Sequence, residues 1–182
     1  KESSQVFCSL WNSEYFDYCI KLSMEWIDRP KFINGTVNKL PHPKLSKDFE
    51  NYLQNVTIIQ HARVKELYRT DDKSLAFTSN EFIGFKSLKD YTINYCQKLS
   101  ELKKEYTQDL SGLNDEVYNY FNISDDERTN IREIVSIAGN DDEGKMFNIE
   151  KAELIDRLFS VLIGCVFDRW DVRLIKRWKR EW

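Results

Sequence analysis

Apolar positions recur at helical spacing along most of the chain. In residues 6–27, Phe7, Trp11, Tyr15, Tyr18, Leu22 and Trp26 follow one another at steps of three or four, which predicts one face of a helix. Asp28-Arg29-Pro30 ends it, because the residue before a proline is steered out of the helical region. Residues 32–37 read as a short extended piece turning at Asn34-Gly35. Pro41 and Pro43, at alternate positions, hold residues 40–43 extended. Ser46 is placed to N-cap a helix over 47–69, with Phe49, Leu53, Val56, Ile59 and Leu67 as its face. The β-branched run Val56-Thr57-Ile58-Ile59 leaves a strand as the alternative there. Residues 70–87 predict an irregular connector, with Leu75-Ala76-Phe77 and Phe82-Ile83-Gly84-Phe85 docking on the core.

The strongest pattern spans residues 88–121. Leu99, Tyr106, Leu113 and Tyr120 repeat every seven residues, and Leu102, Leu110 and Val117 fill the companion row. That narrow seam predicts a long helix paired in a helical hairpin or short coiled coil, with Lys, Glu and Asp outside. Gly112 weakens its middle by about 1 kcal/mol relative to alanine, and Asn122 closes it. Ser124 and Glu127 have the spacing of a capping box, so a helix over 125–137 follows. Asn140-Asp141-Asp142-Glu143-Gly144 is a loop whose order of carboxylates does not match an EF-hand. A last helix over 149–180 is expected, N-capped by Asn148 and burying Leu154, Ile155, Leu158, Phe159, Leu162 and Val166. No internal repeat is present.

Composition narrows the class. The chain has 182 residues, 27 Lys+Arg against 30 Asp+Glu, 41% hydrophobic and 14% aromatic residues. Those values exclude a collagen-like or low-complexity chain and argue against global disorder. Six glycines and three prolines are too few for the many turns of an all-β sandwich or barrel. The net charge of −3 provides no global positive field to steer phosphates. No run of apolar residues is long enough to span a membrane, so no membrane partner is expected. The chain starts at Lys1 with no signal-like segment, which favours a fragment of a longer protein. Cys8, Cys19, Cys96 and Cys165 stand singly among apolar neighbours, giving zinc and redox chemistry no support. Three N-x-[S/T] sequons, at Asn34, Asn55 and Asn122, are no more than chance supplies, and the expected setting is cytoplasmic.

Catalytic signatures are missing. There is no glycine-rich phosphate loop and no H-E-x-x-H, and His42 and His61 have no evident nucleophile partner. Glu101-Leu102-Lys103 has the E-x-K spacing of some nucleases, but such spacing is frequent on any charged helix face.

Two constellations carry more. Leu10-Trp11-Asn12-Ser13 is followed by Arg29-Pro30-Lys31-Phe32, Gly35-Thr36-Val37 and Leu40-Pro41-His42-Pro43. This order resembles the end of the target-recognition region in adenine-specific DNA methyltransferases of restriction–modification and related phage-defence systems. Arg29, Lys31 and Lys39 then bracket an extended segment, suited to phosphates or base edges. Read locally, the same prolines serve equally to end one helix and start the next. The second constellation is Gly164-Cys165-Val166-Phe167-Asp168-Arg169-Trp170-Asp171, which resembles a motif near the C-terminus of the BREX-like members of that group. Asp168 stands where the family has glycine. Leu113-Asn114-Asp115-Glu116-Val117, Tyr120-Phe121-Asn122-Ile123 and Asp126-Glu127-Arg128 resemble the family's seam helix and its ending. The likeness covers residues 7–45 and 95–175.

The resemblance implies a larger parent whose catalytic domain binds S-adenosylmethionine and holds a flipped adenine with an Asn-Pro-Pro-aromatic motif. Neither that motif nor a cofactor loop occurs here, so no cofactor is expected on this fragment. It implies the non-catalytic C-terminal portion, with double-stranded DNA and the parent's own catalytic domain as partners. In the tail, Arg169, Arg173 and Arg177 recur at helical spacing as a stripe that phosphates would suit; a solvated cationic helix end is the plain alternative. The expected fold is mainly α, with a long amphipathic helical hairpin and at most a small β element near residues 31–40. The expected division is a recognition-like segment over 1–45 and a helical domain over 46–182. A helical protein-interaction scaffold with no DNA role is the competing reading.

Overall fold

The computed structural model describes residues 4–23, 43–78, 85–137 and 145–167. Its helices are α1 (Ser4–Trp11), α2 (Glu14–Ser23), α3 (Lys47–Leu67), α4 (Leu88–Tyr120), α5 (Asp125–Ile137) and α6 (Lys151–Val166), with 3-10 turns at Tyr68–Thr70 and Lys145–Phe147. Helix makes up 81% and no strand occurs among the described residues. The mainly α expectation holds. The extended piece expected near residues 31–40 lies outside the described residues. The chain divides into two compact units, Lys1–Gln60 with Tyr106–Lys145, and His61–Glu105 with Met146–Trp182.

In the first unit, Val6 and Leu10 of α1, Phe16 of α2, Phe49, Leu53 and Val56 of α3, and Leu110, Leu113 and Val117 of α4 form one apolar core. Ser46 caps α3 as expected: its Oγ accepts from the Phe49 amide at 3.3 Å, and its carbonyl accepts from Glu50. Its own amide donates to the Tyr120 hydroxyl at 2.8 Å, while Phe49 and Tyr120 stack with centroids 4.0 Å apart. These contacts set the start of α3 against the end of α4, an antiparallel pairing. Buried Ser9 donates to the Leu53 carbonyl at 2.7 Å, and Thr57 donates to the Gln5 carbonyl at 2.6 Å, so α1 is also tied to α3 by hydrogen bonds.

The end of α4 is closed by chemistry legible in the residues. Asn122 takes the left-handed conformation, φ 54°. The Ile123 amide then reaches the Tyr118 carbonyl at 2.9 Å and the Asn122 amide reaches Asn119 at 3.1 Å, the two bonds of a Schellman turn. Immediately afterwards the Ser124 amide donates to Glu127 at 2.8 Å, and the Glu127 amide donates back to Ser124 Oγ at 3.4 Å. That capping box starts α5. The hydrogen bonds from Ser124 hold the Glu127 carboxyl below its ordinary range.

In the second unit, the C-terminal part of α3 and the N-terminal part of α4 pair antiparallel through the ion pairs Arg63–Glu105 and Glu66–Lys98. Leu67, Tyr91, Tyr95, Leu99, Phe147, Leu154 and Val161 are buried. A polar chain runs through them. Thr70 donates to the Tyr95 hydroxyl at 2.9 Å, and Tyr95 donates to the Leu67 carbonyl at 3.1 Å. From α6, Arg157 donates to Thr70 at 3.2 Å and Ser160 to buried Asp72 at 2.9 Å.

Five expectations are corrected. The described part of the single helix expected over 6–27 is two helices, broken at Asn12-Ser13, and residues 24–27 lie outside the described residues. Buried Ser13 donates its hydroxyl to the Leu10 carbonyl at 2.6 Å, and its own carbonyl starts α2 by accepting from Asp17. The break rotates the faces, so Val6, Leu10, Phe16 and Ile20 are buried, Phe7, Trp11, Tyr15 and Tyr18 are only half-buried, and Leu22 is exposed. The helix expected over 47–69 forms, with residues 56–59 helical, but Ile59, expected on its buried face, points out while Gln60 faces in. Leu75 does not dock; it sits fully exposed on a turn. Asn148 does not cap the last helix, because its side chain accepts from Lys103 at 2.8 Å and Glu150 occupies the cap position without a side-chain bond. Finally, α6 buries Leu154, Val161 and Gly164, leaving Phe159, Leu162 and Val166 exposed. The anchors Arg157 and Ser160 choose that inward face. The predicted continuation to residue 180 lies outside the described residues.

Candidate functional site

The six cations expected to contact DNA, Arg29, Lys31, Lys39, Arg169, Arg173 and Arg177, all fall outside the described residues. Within the described helices, cations are largely engaged by carboxylates. Lys21 meets Asp17 at 2.7 Å, Lys47 meets Glu50 at 2.9 Å, Arg69 meets Glu66 at 2.8 Å and Arg157 meets Glu153 at 2.7 Å. Arg128 and Arg132 are likewise drawn to Asp125 and Glu14. A duplex needs cations free to replace condensed counterions, and the cations of these ion pairs already face carboxylates of the same chain.

The densest polar cluster joins α2, α4 and α5 in the first unit. Tyr118 is fully buried, and its hydroxyl donates to Glu14 Oε2 at 2.8 Å. The same carboxylate receives Arg132 Nε at 3.3 Å. The guanidinium carbons of Arg128 and Arg132 lie 5.3 and 5.7 Å from the Tyr118 ring centre. The Glu14 amide, an otherwise open donor at the start of α2, donates to Asn114 Oδ1 at 2.9 Å. Burial pushes the Tyr118 phenol well above its ordinary value, helped by the hydrogen bond and charge of Glu14. Such a phenol stays neutral, and the carboxylate beside it is already occupied, so the cluster fixes helices instead of moving protons. Lys21 acts similarly. Largely buried, it donates to the Val135 carbonyl at 3.2 Å near the end of α5.

Other candidate chemistry disperses. Burial pushes the Cys19 thiol up, against a hydrogen bond from Tyr15 that pulls it down, the opposite of an activated thiolate. Glu101 is exposed, and Lys103 of the E-x-K triplet reaches Asn148. His61 is exposed and His42 lies outside the described residues. No cluster of three metal-ligating side chains occurs among the described residues, and no helix among them is long and apolar enough to cross a membrane.

Sequence reasoning missed two features. The Glu14–Asn114–Tyr118–Arg132 cluster joins residues about a hundred positions apart, and no local spacing announces it. The outward facing of the apolar row on α6 is the second, since periodicity alone does not separate a core face from an exposed one. No family model, no curated protein and no solved structure matches the chain.

Proposed function

We propose that this chain is the non-catalytic C-terminal portion of an S-adenosylmethionine-dependent, adenine-specific DNA methyltransferase of a restriction–modification or BREX-like defence system, with a DNA-recognition and scaffolding role. The observation that carries the reading is the resemblance itself, in its order along the chain. The seam-helix ending, the aromatic-Asn-aliphatic step at 121–123, the acidic-Arg step at 126–128 and the Gly-Cys-x-Phe motif at 164–167 follow one another as in that family. Supporting it locally, the first three of these form one tightly bonded unit. Arg128 Nε donates to the Ile123 carbonyl at 3.0 Å and its second nitrogen to Asn119 at 2.7 Å, across the Asn122 turn.

Neither the family's Asn-Pro-Pro-aromatic motif nor its cofactor loop occurs in this sequence, so in this reading S-adenosylmethionine belongs to the parent's catalytic domain. DNA contact in this reading falls to Arg29, Lys31, Lys39, Arg169, Arg173 and Arg177, the cations that flank the extended segment and line the tail. The reading implies a cytoplasmic protein whose partners are double-stranded DNA and its own catalytic domain. A protein-binding scaffold is the second reading, favoured by the outward apolar row on α6.

Fluorescence anisotropy of this chain with duplex DNA, over a series of salt concentrations, tests the proposal. Affinity is expected to fall steeply with salt, with a log–log slope of about −0.9 for each phosphate neutralised. Alanine at Arg169, Arg173 and Arg177 together is expected to flatten that slope. Absence of binding at low salt, to the parent's recognition sequence as well as to unrelated duplex, overturns the DNA role.

A further inference from the structure

We infer that α6 carries a self-association seam, along which a second copy of this chain pairs with it in parallel. Ala152, Ile155, Phe159, Leu162 and Val166 follow one another at steps of three, four, three and four, the spacing of a heptad seam. Phe159, Leu162 and Val166 are 55%, 50% and 79% exposed, in a helix otherwise firmly held. At 100° per residue, Leu154, Val161 and Gly164, which fasten α6 to its own unit, lie on the other side of the helix. Among the described residues the row is therefore spare with respect to this chain's own packing, and three large exposed apolar side chains on one helical stripe mark an interaction surface.

Charge identifies the occupant. Lys151 and Asp156 are both exposed and flank the seam on opposite sides, five residues apart. In a parallel helix pair, a flanking residue just ahead of a seam position meets the residue five further on in the other helix. Two copies of α6 in register therefore place Lys151 of each against Asp156 of the other, twice about a twofold axis. An antiparallel arrangement sends Lys151 to the far end of the partner helix, past Val166, where this complementarity is lost. The seam is only two heptads long, too short for an isolated coiled coil. Here α6 is already ordered by Leu154, Val161, Arg157 and Ser160, so pairing does not have to fold it. The pairing does not depend on the DNA reading.

Sedimentation equilibrium of the 182-residue chain under reducing conditions, over a concentration series, provides the test. A reversible monomer–dimer equilibrium is expected. Leu162→Glu is expected to weaken the dimer by at least about tenfold with unchanged circular dichroism. Lys151→Glu and Asp156→Lys, both at exposed positions that folding tolerates, are each expected to weaken it about two- to tenfold by opposing like charges. The double variant K151E/D156K restores the pair with its signs exchanged and returns the affinity. A chain monomeric throughout the series, a dimer indifferent to Leu162→Glu, or a double variant no tighter than either single one overturns the inference.

Discussion

In the first compact unit, Leu53, Leu113 and Val117 are enclosed by apolar neighbours from α1 to α4, and aromatic rings seal the edges. In the second, α6 is held by Arg157–Thr70 and Ser160–Asp72 as well as by buried Leu154 and Val161. Large apolar side chains left exposed among the described residues fall mostly there, including Leu75, Phe85, Ile93, Phe159, Leu162 and Val166. The difference separates two uses of hydrophobicity. Among the described residues, one unit encloses its apolar side chains and the other keeps more of them at the surface. A hydrogen-bonded anchor also fixes orientation without consuming apolar area, which is how α6 keeps its seam outward.

The comparison breaks most directly at the enclosed leucines. Leu113→Ala removes methyl groups from a site with no exposure, and is expected to cost about 2–5 kcal/mol, transfer and cavity together. Leu75→Ala, in the second unit, changes a side chain that touches mainly water and is expected to stay within about 0.5 kcal/mol. Urea denaturation followed by circular dichroism measures both. Equal losses at the two sites would remove the distinction.

The polar lock of the first unit gives the next largest effect. Tyr118→Phe deletes the hydrogen bond to Glu14 and is expected to cost about 1–2 kcal/mol at neutral pH. It also carries a pH signature. The phenol is raised in the folded state above its unfolded value near 10. Its stabilisation is thus fully present below about pH 10 and lost as pH climbs above that, because the unfolded chain ionises first. Stability measured from pH 8 to strongly alkaline conditions is expected to fall less steeply in the Phe variant. Tyr95→Phe, in the second unit, serves as the contrast, since it breaks the link from Thr70 to the Leu67 carbonyl instead.

A third substitution sharpens the picture with the opposite sign. Gln60 is 4% exposed, and neither atom of its amide has a hydrogen-bond partner. Burying an amide unpaired is costly, so Gln60→Leu is expected to stabilise the protein by about 1 kcal/mol in the same denaturation experiment. A loss on this change would mean that the amide is satisfied in solution.

What the sequence could reveal followed from how local the determinants are. The bounds of α4 were legible because its heptads run for many turns, and the α4–α5 junction because Asn122, Ser124 and Glu127 act within a few residues of one another. The α1–α2 break was not legible. Neither Gly nor Pro marks it, and the amide it opens is satisfied by Asn114, far along the chain. The facing of α6 was hidden for the same reason, being decided by Thr70 and Asp72 on a distant turn. The apolar row misled because periodicity shows that a face exists without showing what covers it.

The smallest expected gain tests whether the seam helix is limited by its own backbone. Gly112 lies exposed in the middle of α4, and a Cβ built there meets nothing within 4 Å. Alanine at this position adds no clash, and it reduces the conformational freedom of the unfolded chain. Gly112→Ala is therefore expected to raise stability by about 0.5–1 kcal/mol. The change touches no core residue and no ion pair, so it isolates helix propensity from packing. A gain of this size, set beside the larger loss at Leu113 one residue further on, would show that α4 is held by the face it buries and only trimmed by its intrinsic preference. A gain approaching the Leu113 loss would instead make the helix itself the weak point of the first unit.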